Sequence, residues 1–239
     1  MPSWNNSLPK SAAPKSRQTR AGVARGRRVD NAPMTMTVRS VNVPRAAGAG
    51  AAADADAGND AADHVLRLAP ASGPVEIGPR GFAVGPDIPP PLDPAIATQD
   101  HALAHALYAY PTAHHPFWRT VLAQARVAAP GDPLPPASFD EHLALEGVQE
   151  NQLWVGDVLR FPDCVLVVGA PRLPDGRFNE TLGFAKAAKM VAESRWSGFW
   201  LAVRVPGRIK PGDPFELVPG PRANGLVELF RARTKGRSW

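Results

Sequence analysis

The run Cys164-Val165-Leu166-Val167-Val168-Gly169 carries no charge, is rich in valine, and lies between Asp163 and Pro171. A short continuous apolar run with β-branched side chains between turn residues reads as a strand buried on both faces. Working outward, Asp157–Phe161 and Phe139–Leu143 read as strands before it, and Gly198–Val205 and Pro214–Val218 after it. Pro206-Gly207 and Pro211-Gly212-Asp213 supply the turns between the last of these. Toward the N-terminus, Thr37–Val43 reads as a first strand ended by Pro44, with Val38, Ser40 and Asn42 on one side and Arg39, Val41 and Val43 on the other. His64–Ala69 and Pro74–Ile77 are further strand-like runs, and Ala104–Tyr110 is compatible with strand or helix. Two helices are expected. One is capped by Thr112 and repeats Trp118, Val121, Leu122 and Ala125; the other covers Thr181–Glu193. Many short strands, two helices and frequent turns predict a mainly β domain with helical additions, closed like a barrel.

The chain has 239 residues, of which 44% are hydrophobic and 21% charged, enough for one core of ordinary size. Its 27 prolines are roughly twice the usual ~5%. Proline interrupts helices and central strands, so long helical bundles and coiled coils are excluded. Residues 1–36 are expected to form a disordered basic extension with no apolar periodicity, and either Met34 or Met36 competes with Met1 as the start. The domain then spans 37–220, with a flexible Ala/Gly/Asp loop at 44–63, an extended proline-rich loop at Pro86–Pro94, and a basic C-terminal tail at 221–239.

The net charge of +5 looks like a nucleic-acid signal until it is divided. Residues 1–33 contribute +6 and residues 222–239 contribute +4, leaving the body between them at −5. An acidic body offers no continuous basic face for phosphates, so nucleic acid is an expected partner only through the tails. A single cysteine, Cys164, excludes an intramolecular disulfide and a multi-cysteine zinc site, which fits a reducing cytoplasm. No apolar run approaches the ~18–20 residues of a membrane span. A cytoplasmic protein without membrane contact is the expectation.

Candidate chemistry is sparse. His101 and His105 would share one helix face, with His114 and His115 following, but no third ligand stands at a fixed spacing and no metal site is assigned. Ser138, Asp140 and His142 are too close in sequence for a nucleophile, orienter and base. No phosphate-binding glycine loop is present. Cys164 follows Asp163 and heads an apolar run, which raises a thiol pKa and argues for a structural cysteine.

The order of segments resembles the MOSC domain family, named for the C-terminal domain of molybdenum-cofactor sulfurase, in its stand-alone YiiM-like branch. The resemblance rests on Val38-Arg39-Ser40-Val41-Asn42-Val43, on Gly73-Pro74-Val75 with Gly81-Phe82-Ala83, and on Ala106 through Pro111 leading to Trp118. It continues through Phe139-Asp140-Glu141-His142-Leu143, Glu146-Gly147, Val155-Gly156-Asp157, Pro171-Arg172-Leu173-Pro174 to Asn179, Ser197 to Leu201, Pro206-Gly207 and Gly212-Asp213. It implies a barrel-like β fold and a molybdopterin site organised by one cysteine directly after the Pro-Arg-x-Pro element.

In this chain the residue after that element is Asp175. A carboxylate cannot carry a persulfide and is a hard ligand where soft thiolate is called for. Asp175 is therefore the residue at the implied catalytic position, and Arg172, Arg177, Asn179 and His101 are the implied cofactor-binding residues. Other departures are Asp140-Glu141-His142 where the family has Gly-Glu-Asn, Asp100-His101-Ala102-Leu103-Ala104 where it has His-Gly-Gly-Pro-Asp, and Ala202 where it has arginine. Two readings follow. The first is a degenerate molybdenum-cofactor-related binding module with little or no sulfur transfer. The second is an active molybdenum-dependent oxidoreductase acting on N-hydroxylated compounds, with Asp175 in the thiolate's place. The implied cofactor is molybdopterin, or none, and the implied partner is a redox or sulfur-transfer protein.

Overall fold

The computed structural model describes residues 35–45, 67–82 and 105–237. Residues 46–63 of the loop expected at 44–63, the loop expected at Pro86–Pro94, residues 1–34 and His101 lie outside the described residues, whereas residues 44–45 continue the first strand. The large sheet is built from β1 (Thr37–Arg45), β2 (Arg67–Pro70), β5 (Leu107–Pro111), β6 (Leu143–Glu146), β7 (Val158–Arg160), β8 (Val165–Pro171), β9 (Phe199–Val205) and β11 (Glu216–Val218). Its eight strands run in the order β11-β7-β8-β9-β5-β6-β1-β2. β5 pairs with β6 in parallel and the other pairs are antiparallel. A second sheet orders β10 (Gly207–Ile209), β3 (Val75–Gly78) and β4 (Gly81–Phe82).

The fold is therefore sheet-dominated with helical additions, as expected, but the expected closure is not found. Among the described residues no strand ladder joins β11 to β1 or β2. The irregular segment before β11 reaches β1 instead, through Phe215 N–H to Met36 O (3.0 Å) and Val38 N–H to Asp213 O (2.9 Å).

Three expected elements shift for local reasons. β1 carries an irregularity between Val38 and Ser40, so Val38 and Val41 both enter the core although strict alternation puts them on opposite sides. It also runs through Pro44, because beyond Val41 it is laddered only to β2 and the missing N–H is not needed. The strand expected at Phe139–Leu143 starts only at Leu143, since residues 137–141 form a turn. The helix expected over Thr181–Glu193 is two helices, α2 (Gly176–Thr181) and α3 (Ala187–Ser194), broken near Gly183 at φ +59°. The helix after Thr112 is α1 (His115–Gln124), entered by a 3-10 turn over Thr112–His114. A further helix, α4 (Leu226–Thr234), lies in the basic tail and buries Leu226 and Phe230.

β5 divides the interior. Its Leu107 and Ala109 enter a core formed with Val38, Val41, Leu143, Leu166, Val168 and Phe199. Its Tyr108 and Tyr110 enter a second core with Trp118, Phe139, Phe178 and Val191 from the helical side. Alternate residues of one strand thus serve two cores, and β5 is buried throughout.

Candidate functional site

The Pro-Arg-x-Pro element lies where β8 ends and α2 begins, against the second core. Arg172 is only 6% exposed. Its guanidinium lies over the rings of Phe178 (4.3 Å) and Tyr108 (4.7 Å), and its Nη1 donates to Phe139 O at 2.9 Å. Asp175 caps α2: its Oδ1 accepts from Arg177 N–H at 3.1 Å and stands 3.4 Å from Arg172 Nη2. The Arg177 guanidinium pairs with Asp140, with Nη2 to Oδ2 at 2.6 Å. Asn179 Oδ1 accepts from Ala188 N–H at 2.9 Å and ties α2 to α3. The structure thus brings Arg172, Asp175 and Arg177 together, while Asn179 has an internal structural bond.

The turn at 137–141 links these side chains. Ala137 and Asp140 both have φ +62°, and Asp140 N–H donates to Ala137 O at 2.9 Å. Glu141, 1% exposed, holds the turn from inside: Oε1 accepts from Ala137 N–H (2.8 Å) and Oε2 from Phe139 N–H (2.9 Å). Asn42 on β1 donates from Nδ2 to Glu141 O (2.9 Å) and stands 3.3 Å from Oε1, while its own Oδ1 is buried without a partner. Burial pushes the Glu141 carboxyl up to about 7, against the opposing pull of the backbone donors. His142 accepts Tyr108 N–H at Nδ1 (2.9 Å), which fixes a neutral ring, and burial lowers it to about 4.

The remaining expected residues do not converge. His105 stacks edge-on to Trp200 at 5.3 Å. His114 Nε2 is 2.7 Å from Glu150 Oε2, a buried pair whose other oxygen accepts Gly198 N–H. Ser138 Oγ donates to Pro135 O, apart from both Asp140 and His142. Cys164 is 1% exposed in the first core, and burial, then Asp213 and Asp163, push its thiol up to about 12. Glu141, Asn42 and the His114–Glu150 pair were not singled out from the sequence as a site. Asn42 and Glu141 are 99 residues apart, so no local spacing connects them; the only signal was a polar residue inside a buried strand pattern.

The family model described as the MOSC domain matches residues 88–216, more than half of the chain. The chain belongs to the MOSC domain family. Its similar curated proteins are the uncharacterized protein YflK of Bacillus subtilis (strain 168), 32% identical over 113 residues covering 47% of this chain and 48% of the relative, and protein YiiM of Escherichia coli (strain K12), 29% identical over 121 residues covering 50% and 49%. The chain spans about half the length of the curated relatives it matches. Among solved structures, YiiM from Geobacillus stearothermophilus superimposes with a TM-score of 0.59 at 21% identity, covering 84% of each chain. YiiM from Escherichia coli superimposes with a TM-score of 0.53 at 21% identity, covering 68% of this chain and 71% of that one. At such identities the likeness is one of MOSC fold alone.

The MOSC family is associated with the molybdenum cofactor, and the residues around Asp175 do not fit a thiolate-held molybdenum. Asp175 offers a hard carboxylate already engaged with Arg172 and Arg177, and Cys164 lies beyond the other end of β8. Among the described residues no three His, Cys, Asp or Glu side chains gather as a metal-ligand set.

Proposed function

We propose that this MOSC-domain protein is a binding module that keeps the family scaffold and lacks the family's sulfur chemistry. One observation carries the reading. The residue following Pro171-Arg172-Leu173-Pro174 is a carboxylate serving as helix cap and arginine partner, while the chain's only thiol is walled into the opposite core. β8 alone, seven residues long, separates the two by roughly 23 Å at ~3.3 Å per residue. No modest side-chain movement brings Cys164 Sγ to Arg172.

The test is molybdenum and pterin analysis of purified wild type beside Asp175→Cys. Wild type is expected to contain less than a tenth of an equivalent of either. Stoichiometric molybdopterin in wild type overturns the reading.

A further inference from the structure

We propose that Glu141 is a proton-operated latch on the 137–141 turn, which it grips when ionised and partly releases to bond Asn42 when protonated, thereby setting the position of Arg172 and Arg177. The inference rests on the proposed reading in so far as Arg172 and Arg177 flank Asp175, the position the resemblance implies for the site.

The geometry comes first. Both carboxyl oxygens of Glu141 face backbone N–H groups of the turn, at 2.8 Å from Ala137 and 2.9 Å from Phe139. An ionised carboxylate, which only accepts, satisfies both. An acid form places a hydrogen on one oxygen, which weakens that oxygen as an acceptor for its turn N–H and creates a buried donor that needs an acceptor of its own. Asn42 Oδ1 is a buried acceptor with no donor. Turning the Asn42 amide over puts Oδ1 where Nδ2 now stands, 3.3 Å from Glu141 Oε1. The exchange gives up the bond from Nδ2 to Glu141 O, so it is unfavourable until the carboxyl proton makes the new one.

What the turn carries makes the exchange matter. Phe139 O is the acceptor of Arg172 Nη1, and Asp140, in the left-handed conformation, is the ion partner of Arg177. Both arginines are thus held by residues that Glu141 positions without touching either one. The charges around Glu141 leave its proton close to balance. Asp140 adjoins it, Tyr108 and Tyr110 face it from β5, and β1 brings Asn42 into contact with neutral Ser40 beside it, while Arg39 of the same strand acts on His115 next to Phe139. The His142 ring is held neutral, and Arg172 is reached only through Phe139. Among the described residues no guanidinium or ammonium pairs with Glu141 directly. Burial lifts its carboxyl to about 7, so the two states exchange near neutrality.

The experiment is NMR on the full chain without added ligand, so it reports on the latch whether or not the proposed function holds. The Glu141 side-chain carboxyl carbon and the Nε–H signals of Arg172 and Arg177 are followed from pH 5 to pH 9. The carboxyl should titrate with a midpoint between 6 and 8, and both arginine signals should move with that same midpoint. Glu141→Gln should abolish the arginine movement. In wild type the Asn42 side-chain amide signals should move with that same midpoint, because the acid form turns that amide over, and amide signals that stay still overturn the proposal. A carboxyl midpoint below 5.5 overturns the proposal, as do arginine signals that stay still through the carboxyl titration or still move in Glu141→Gln. If Glu141→Gln does not fold, coincidence of the wild-type midpoints decides.

Discussion

Replacing Glu141 by Gln should change the slope of stability against pH more than its height. In the unfolded chain a glutamate titrates near 4.5, and in the fold this one is raised to about 7 by burial. At ~1.36 kcal/mol per pH unit, that difference is worth about 3 kcal/mol. The sign follows from linkage. The folded state binds the proton more tightly, so the contribution is fully present below pH 4.5 and is lost as pH rises through 7. His142 works in the other direction. Burial lowers it from 6.5 to about 4, so its contribution is present above pH 6.5 and is lost as pH falls toward 4. Between pH 5 and 7 the two slopes oppose, and wild type should vary less than either group alone would make it. Glu141→Gln removes the branch that falls with pH and leaves the histidine branch uncovered, so the variant should grow more stable from pH 5 to 7. Urea unfolding followed by tryptophan fluorescence at pH 5, 6, 7 and 8 measures this. The stability gap between wild type and variant should shrink by about 2 kcal/mol from pH 5 to pH 8, less than the full amount because the unfolded glutamate is already partly ionised at pH 5. A gap constant across that range refutes the reasoning.

Two further outcomes follow from other parts of the fold. Asp157, fully buried, accepts Trp154 N–H (2.9 Å), Gly220 N–H (2.7 Å) and Arg222 Nη1 (3.0 Å), while Arg222 stacks on Trp154 at 4.2 Å. Asp157→Ala should cost about 2 kcal/mol in urea unfolding, because it leaves the Trp154 and Gly220 N–H groups without their acceptor while Arg222, 42% exposed, turns to solvent, and a cost below about 1 kcal/mol would show that the cluster does not secure the chain leading to α4. Cys164, with its thiol raised to about 12, should resist an aromatic disulfide reagent at pH 8 for hours in the fold and react within minutes in denaturant. Prompt labelling of the folded protein would return the thiol to consideration as a functional group.

Legibility in the sequence followed range. The 164–169 run was readable as a strand because continuous apolar character is a local property, and β8 occupies Val165–Pro171, but burial on both faces was not found: Leu166, Val168 and Ala170 are buried and alternate with half-buried Val165, Val167 and Gly169. The Ala104–Tyr110 run stayed ambiguous because both of its faces are apolar; it is β5, whose alternate side chains enter two different cores. Helix α4 went unread because its basic residues dominate the composition and only Leu226 and Phe230 are fully buried. Phe139–Leu143 was read as strand on its apolar ends, although Glu141 would then share a face with Phe139 and Leu143. A carboxylate that satisfies two turn N–H groups holds a turn there instead. The Asn42–Glu141 contact was invisible for the plainer reason that tertiary structure alone joins β1 to that turn.

Around Arg172 and Arg177 the chain differs in charge, as well as in having no cysteine at position 175, from the pattern it resembles. At position 140, where the resemblance implies glycine, the backbone is at φ +62°, a conformation that aspartate tolerates better than most side chains. The carboxylate so introduced pairs with Arg177 at 2.6 Å. At position 175, where the resemblance implies cysteine, the carboxylate lies 3.4 Å from Arg172. Both departures place a negative charge beside an arginine, so the four groups sum to zero where the two arginines alone would present two positive charges. An incoming anion would have to displace a carboxylate from each arginine it engaged, losing one ion pair for every one it formed. The carboxylates at 140 and 175 thus weaken the attraction that would draw an anionic ligand to Arg172 and Arg177, an electrostatic effect separate from the lack of a thiol at position 175.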